Sequence, residues 1–215
     1  MLDPLSGRKA NGAVMTPPVE AASDSLVRTA TAADAERCLD VLTLAFENDP
    51  PCRWIWSGRQ QYLEAFPRFA RAFAGDAFDL GTAHYYEGVA GAAFWLPPGT
   101  SPDGESVVQI IRETITDERK EAVFSIFEQM DAYHPREPHW HLPLIGVNPA
   151  SQGRGIGSVL LRYALDRCDR EQEAAYLEAT SPRNVALYQQ HGFETLGAIQ
   201  VADCPPIVPM LREPR

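Results

Sequence analysis

Val147-Asn148-Pro149-Ala150-Ser151-Gln152-Gly153-Arg154-Gly155-Ile156-Gly157 is the stretch on which the reading of this chain turns. Ahead of it, His139–Val147 reads as a strand. Behind it, Ile156, Val159, Leu160, Tyr163 and Ala164 recur at helical spacing and predict an amphipathic helix over Gly153–Arg170. The three glycines therefore fall where a strand hands over to a helix. The N–H groups there have no intrahelical acceptor, the helix dipole adds positive potential, and the missing Cβ atoms let an anion approach the backbone. A pyrophosphate fits such a nest. On spacing alone, a tight connection that holds nothing is the alternative. Two other nucleotide motifs are excluded, because no Lys-Ser/Thr follows at Walker spacing and the pattern is not G-x-G-x-x-G in a dinucleotide-binding context.

Outward from this junction, strands and helices alternate. Downstream come a strand at Ala175–Ala179, a helix at Pro182–His191, and strands at Ala198–Val201 and Ile207–Leu211. Upstream, Leu26–Ala30 opens as a strand, and Thr31 caps a helix carrying Cys38, Leu39, Leu42, Ala45 and Phe46, which Asn48-Asp49-Pro50-Pro51 stops. A second helix is expected from about Gln60 to Ala74. Thr82–Glu87 and Val89–Leu96 then read as a hairpin around Gly88. Ser106 to about Tyr133 is helical in two pieces around Thr116-Asp117, an insert placed to cover an active site. The pattern is α/β with parallel pairing at the centre of a mixed sheet. Residues 1–24, rich in Pro, Gly and small polar residues, read as a flexible extension ahead of a folded domain over 25–215.

Composition narrows the function. In 215 residues, 19 Lys+Arg stand against 29 Asp+Glu, a formal net charge of −10, with the basic residues dispersed. A general nucleic-acid binder needs concentrated Lys and Arg, so that class is excluded, while a cationic substrate is favoured. Neither a bilayer-length apolar run nor a signal-peptide core is present, which predicts no membrane partner. Cys38, Cys52, Cys168 and Cys204 are scattered, with no C-x-x-C pair and no His at metal-ligand spacing. Reduced cysteines, a cytoplasmic location and no metal are the expectation.

Gln152-x-x-Gly155-x-Gly157 after a strand ending in Val147, followed by Ser181-Pro-Arg-Asn184-Val-Ala-Leu-Tyr188-Gln-Gln-His-Gly192-Phe193, resembles the two signature segments of the GNAT N-acetyltransferase superfamily. Pro135-Arg-Glu-Pro-His-Trp140, Gly146-Val147, Gln152 to Ser158 and Leu177 to Asn184 are similar to its puromycin N-acetyltransferase-like branch. The resemblance runs from about Leu26 and is strongest over Pro135–Phe193. It implies a largely antiparallel mixed sheet, flanked by helices, whose central parallel pair splays at an acyl-CoA site. It also implies direct transfer of an acetyl group from acetyl-CoA to an amine.

The same resemblance implies roles for particular residues. Backbone groups of Ile145, Gly146 and Val147 would pair with the pantetheine arm, and Gln152, Gly153, Arg154, Gly155, Ile156, Gly157 and Ser158 would hold the pyrophosphate. Asn184 and Tyr188 would face the cosubstrate from the following helix, Tyr188 as the acid that protonates the departing thiolate. For the base there are two candidates. His141 lies at a position where several such enzymes carry a Glu or His, although the puromycin-type branch has an apolar aromatic there. Glu178 is a carboxylate in an apolar strand, on the side shared by Tyr176 and Thr180. His139 shares a side with His141 and is expected to be structural. Trp54, Trp56, Tyr62, Phe66 and Phe69 read equally as core or as acceptor wall, and Glu47, Asp49 and Glu128 are candidate contacts for a cation. The leading function is acetyl transfer to a small-molecule amine, for example an aminonucleoside, by a monomer or homodimer. Protein or peptide N-acetylation and a non-catalytic acyl-CoA sensor are the alternatives.

Overall fold

The computed structural model describes residues 26–215. The extension expected at 1–24 lies outside the described residues. Seven strands form one sheet: β1 (Val27–Thr29), β2 (Ala83–Tyr86), β3 (Gly91–Leu96), β4 (His139–Val147), β5 (Ala174–Ala179), β6 (Glu194–Thr195) and β7 (Val208–Arg212), in the order β1-β2-β3-β4-β5-β7-β6. Every pairing is antiparallel except β4 with β5. Helices α1 (Ala35–Phe46), α2 (Pro50–Ile55), α3 (Arg59–Phe73), α4 (Gly104–Thr114) and α5 (Asp117–Tyr133) build one core, and α6 (Ile156–Glu171) and α7 (Pro182–Gln190) build a second.

Two expectations are corrected. Asn48–Pro51 does more than stop α1. The Asp49 carboxylate accepts from the Cys52 N–H at 3.2 Å, and Pro50 and Pro51, which have no N–H to leave unpaired, begin α2. The strand expected at Ala198–Val201 is reduced to a single bridge, Ile199 with Ile207, while the pairing edge is β6. Here the apolar residues serve another surface: Ile199, Cys204 and Ile207 bury against Ile126 of α5, so the segment leaves the sheet to cover that helix.

The centre of the sheet carries the functional geometry. β4 pairs with β5 only from His139↔Ala174 to Leu142↔Leu177, and beyond that point β5 has β7 alone as a neighbour. Pro143 stands where the ladder ends and has no N–H to contribute to it. On the other edge, Phe94 pairs with Leu144 but Leu96 pairs with His141, so β4 holds one extra residue between these points. This bulge reverses the alternation of side chains. Trp140 and Leu142 face α6, and so do Ile145 and Val147. His141 faces Phe73 of α3, and Leu144 and Gly146 face the same helical layer.

Gly146 is where that layer comes closest. A Cβ there would lie 2.7 Å from the Ala45 Cβ and 2.9 Å from the Leu42 Cδ2, so α1 rests directly on the strand backbone. Gly146→Ala is expected to destabilise the fold by about 1–3 kcal/mol, read as a lower urea midpoint. An unchanged midpoint would show that α1 is not packed this tightly.

Candidate active site

The start of α6 has the form a nest needs. Gly153 (φ +76°) and Gly155 (φ +79°) adopt left-handed backbone, which suits glycine, and a Cβ on either would meet nothing within 4 Å. The requirement is therefore conformational, and the space beside these residues is open. The N–H groups of Ile156, Gly157 and Ser158 lie in the first turn, where no intrahelical acceptor exists. The Gln152 amide donates to the Val147 carbonyl at 3.2 Å and ties this turn to the end of β4.

The free edge of β4 continues from the nest. Asn148 N–H donates to the Ala90 carbonyl, and antiparallel alternation then turns the Gly146 peptide groups toward β3 and those of Ile145 and Val147 toward the gap left by β5. Nest and gap open into one cleft of about 470 Å³. Eleven of the twelve residues expected to hold the acyl donor line it, from Ile145 through Ser158 and on to Asn184 and Tyr188. Arg154 is exposed and is not among the lining residues. Arg183, which the sequence reading did not single out, lines the cleft instead and reaches the Gln152 side-chain oxygen at 3.4 Å. Its only sequence signal was its place one residue before Asn184.

Tyr188 lines the cleft from α7. Ser181 caps α7 through the Asn184 N–H and Pro182 fills its first position, which fixes the phenol in the cleft with the residue 5% exposed. Burial, and then the neighbouring Asp49 carboxylate, push the phenol above the usual tyrosine range, so it holds its proton. Asp49 lines the same cleft. Its carboxyl is raised by burial, against hydrogen bonds from Thr180 and Cys52 that favour the ionised form. The Thr180 hydroxyl donates to Asp49 and joins the α1–α2 junction to the end of β5 across the mouth of the gap. Thr180 escaped the sequence reading as a functional residue, although alternation from Glu178 already placed it on this side.

The two base candidates are brought together, outside the cleft lining. His141 Nε2 lies 3.2 Å from a Glu178 carboxylate oxygen, and each side chain is 6% exposed. With Glu178 ionised, Nε2 carries the proton and Nδ1 keeps its lone pair. Around the pair stand Tyr176, His134, His139 and Phe73. The Tyr176 hydroxyl is buried without a well-formed hydrogen bond, and burial and Glu178 raise its pKa. His139 Nδ1 is 2.8 Å from the Glu137 carbonyl, which only accepts. Neutral His139 therefore accepts at Nε2 from His134 Nε2, 3.0 Å away. Burial, reinforced by His141, lowers His134 to about 4. The insert thus covers the sheet here, with His134 at the end of α5. Of the aromatic group, Trp56, Tyr62 and Phe66 are wholly buried core, whereas Trp54 lies under the Arg119 guanidinium. Glu47 is paired with Arg59 at 2.6 Å.

Residues 107–193 match the family model described as the acetyltransferase (GNAT) family. The matched stretch takes in the glycine turn, Gln152, Asn184 and Tyr188. A Corynebacterium glutamicum structure described as histone acetyltransferase HPA2 and related acetyltransferase is 29% identical, with 88% of this chain and 96% of that one covered and a TM-score of 0.62. A mosquito arylalkylamine N-acetyltransferase-like 5b matches in fold at 15% identity over 87% and 98% of the chains, TM-score 0.60. So does a Drosophila melanogaster polyamine N-acetyltransferase, at 14% identity over 87% and 98%, TM-score 0.57. GNAT enzymes generally use acetyl-CoA, and the open nest beside the unpaired strand edge suits its pyrophosphate and its amide-bearing arm.

His134 and His84 share an electrostatic consequence. Both are lowered from 6.5 to about 4 by burial, so within that window the unfolded chain binds more protons than the native one. Stability is expected to fall as pH drops through this window, and His134→Gln should flatten the slope of Tm against pH. A Tm independent of pH between these limits would show that neither ring is held neutral by the fold.

Proposed function

We propose that this acetyltransferase moves the acetyl group of acetyl-CoA directly to the primary amine of a small cationic molecule. The observation that carries the reading is the single cleft joining the α6 nest and the free edge of β4 to Tyr188 and Asp49. Bound acetyl-CoA supplies the acetyl group as a thioester. Ile145 and Val147 offer backbone groups to its arm, and the first turn of α6 offers N–H groups to its phosphates. Tyr188 holds a proton on its phenol beside the departing sulfur. Asp49, raised by burial and next to Tyr188, attracts the ammonium and accepts its proton.

The contact of His141 with Glu178 favours a second reading of the base. In it, the Nδ1 lone pair of His141, held in place by Glu178, takes the proton through water. An aminonucleoside is the narrower acceptor supported by the puromycin-type motifs, and the net charge of −10 favours any cationic amine. All four cysteines are unpaired and no described helix is long and apolar enough to cross a membrane, which suits the expected cytoplasmic setting. The name of the Corynebacterium protein makes a histone the rival acceptor.

CoA thiol release, followed across an aminonucleoside, a polyamine, an arylalkylamine and a lysine peptide, tests the reading. Turnover is expected with small amines and not with the peptide. If acetyl-CoA binds and no acceptor turns over, the domain is a sensor and the proposal fails. Tyr188→Phe should lower kcat by about 10²-fold or more while acetyl-CoA affinity holds; unchanged turnover would remove Tyr188 as the acid. Asp49→Asn should reduce kcat/KM for the amine and displace the rising, acid-side limb of its pH profile. If that limb answers to His141→Ala and Glu178→Gln instead, the second reading of the base is the correct one.

A further inference from the structure

The cleft is not the only cavity with a chemical demand. Between the β2–β4 end of the sheet and the C-terminal half of α6 lies a second one of about 360 Å³, which shares no lining residue with the first. Two buried polar atoms belonging to its lining residues have no partner, the Trp95 Nε1 and the His84 Nδ1. Trp95 is 0% exposed and His84 8%. Buried polar groups in folded proteins are almost always paired, and an indole N–H can only donate. His84 pairs with Ala93 across β2 and β3, so Trp95, two residues along, is its diagonal neighbour on the same face.

The rest of the wall is set and flat. The Tyr163 ring lies 4.9 Å from that of His84, and the Arg167 guanidinium lies 4.6 Å above Trp140. Arg167 and the Trp140 indole N–H are both committed to Glu171, at 2.7 and 3.0 Å. Asp166, Arg167 and Arg170 also line the cavity, so charges of both signs are present. Burial keeps His84 neutral, lowering it to about 4, so Nδ1 either donates to the same oxygen as Trp95 or accepts an adjacent N–H.

We propose that this cavity is a second ligand site, for a small planar molecule presenting a carbonyl or carboxylate oxygen to the Trp95 N–H and lying against the rings of His84 and Tyr163. It is served by the same helix as the acyl-donor nest. Tyr163 is seven residues beyond Ile156, about 10 Å along α6.

Titration of the full chain with benzamide, benzoate and benzylamine, read by tryptophan fluorescence and thermal shift, tests this. Benzamide or benzoate should bind saturably and raise Tm, and benzylamine, which has no oxygen, should do neither. Trp95→Phe removes the donor while retaining an aromatic ring, and should weaken binding about tenfold with acetyl-CoA affinity unchanged. His84→Leu serves the same purpose if Trp95→Phe does not fold. Absence of binding by both oxygen-bearing probes would overturn the proposal, as would unchanged affinity in the folded variant. A Trp95→Phe protein that is more stable and equally indifferent to every probe would show that the cavity holds only water.

Discussion

The architecture depends on one broken ladder. Parallel strands β4 and β5 share a ladder only as far as Leu142 and Leu177, and the rest of β4 turns the peptide groups of Ile145 and Val147 toward the cleft. Unpaired backbone is costly in a protein interior unless something else pairs with it. A site that offers a free strand edge is therefore complementary to a ligand with amides along its length. The bulge opposite Phe94 and Leu96 and the missing N–H of Pro143 end the pairing at the sequence level. The same bulge gives β4 its two characters, with His141 on the helical layer containing α3 and Val147 on the layer containing α6.

An open centre has to be held open without loosening the sheet around it. Gly146 lets α1 rest on β4 from one side. On the other, Arg212 of β7 is buried and grips Asp169 of α6 through two hydrogen bonds of 2.8 Å while also donating to the His191 carbonyl. Removing Asp169 would leave the buried Arg212 guanidinium without its carboxylate, which gives this contact structural weight that a surface pair lacks. Across the gap itself, Thr180 and Asp49 connect β5 to the α1–α2 junction, and Gln152 secures the glycine turn to Val147. The polar groups at the mouth thus hold the frame and also face the chemistry.

Much of this was legible in the sequence because it depends on local rules. The strand His139–Val147, the glycine turn, and a helix opened by Ser181-Pro182 are each dictated by residues within one or two turns of themselves. The division of α4 from α5 at Thr116 was equally visible. What stayed hidden depends on contacts distant in sequence. That Asp49 meets Thr180, 131 residues away, and that His141 meets Glu178, 37 residues away, follows only from the sheet order. The segment around Ile199 was misread because its apolar residues serve α5 through tertiary packing, a pattern that alternation cannot distinguish from a strand. That Arg183 lines the cleft beside Gln152 is hidden for a similar reason, since it depends on α7 packing across the glycine turn.

The central claim is that the free edge of β4 and the α6 nest together receive the acyl donor. Amide hydrogen exchange with and without acetyl-CoA, resolved to single residues, addresses it most directly. The account predicts that acetyl-CoA protects the amides of Val147 and of Ile156–Ser158, while the β3-paired amide of Gly146 changes little. Protection confined to other elements, with these amides exchanging as in the free protein, would contradict it.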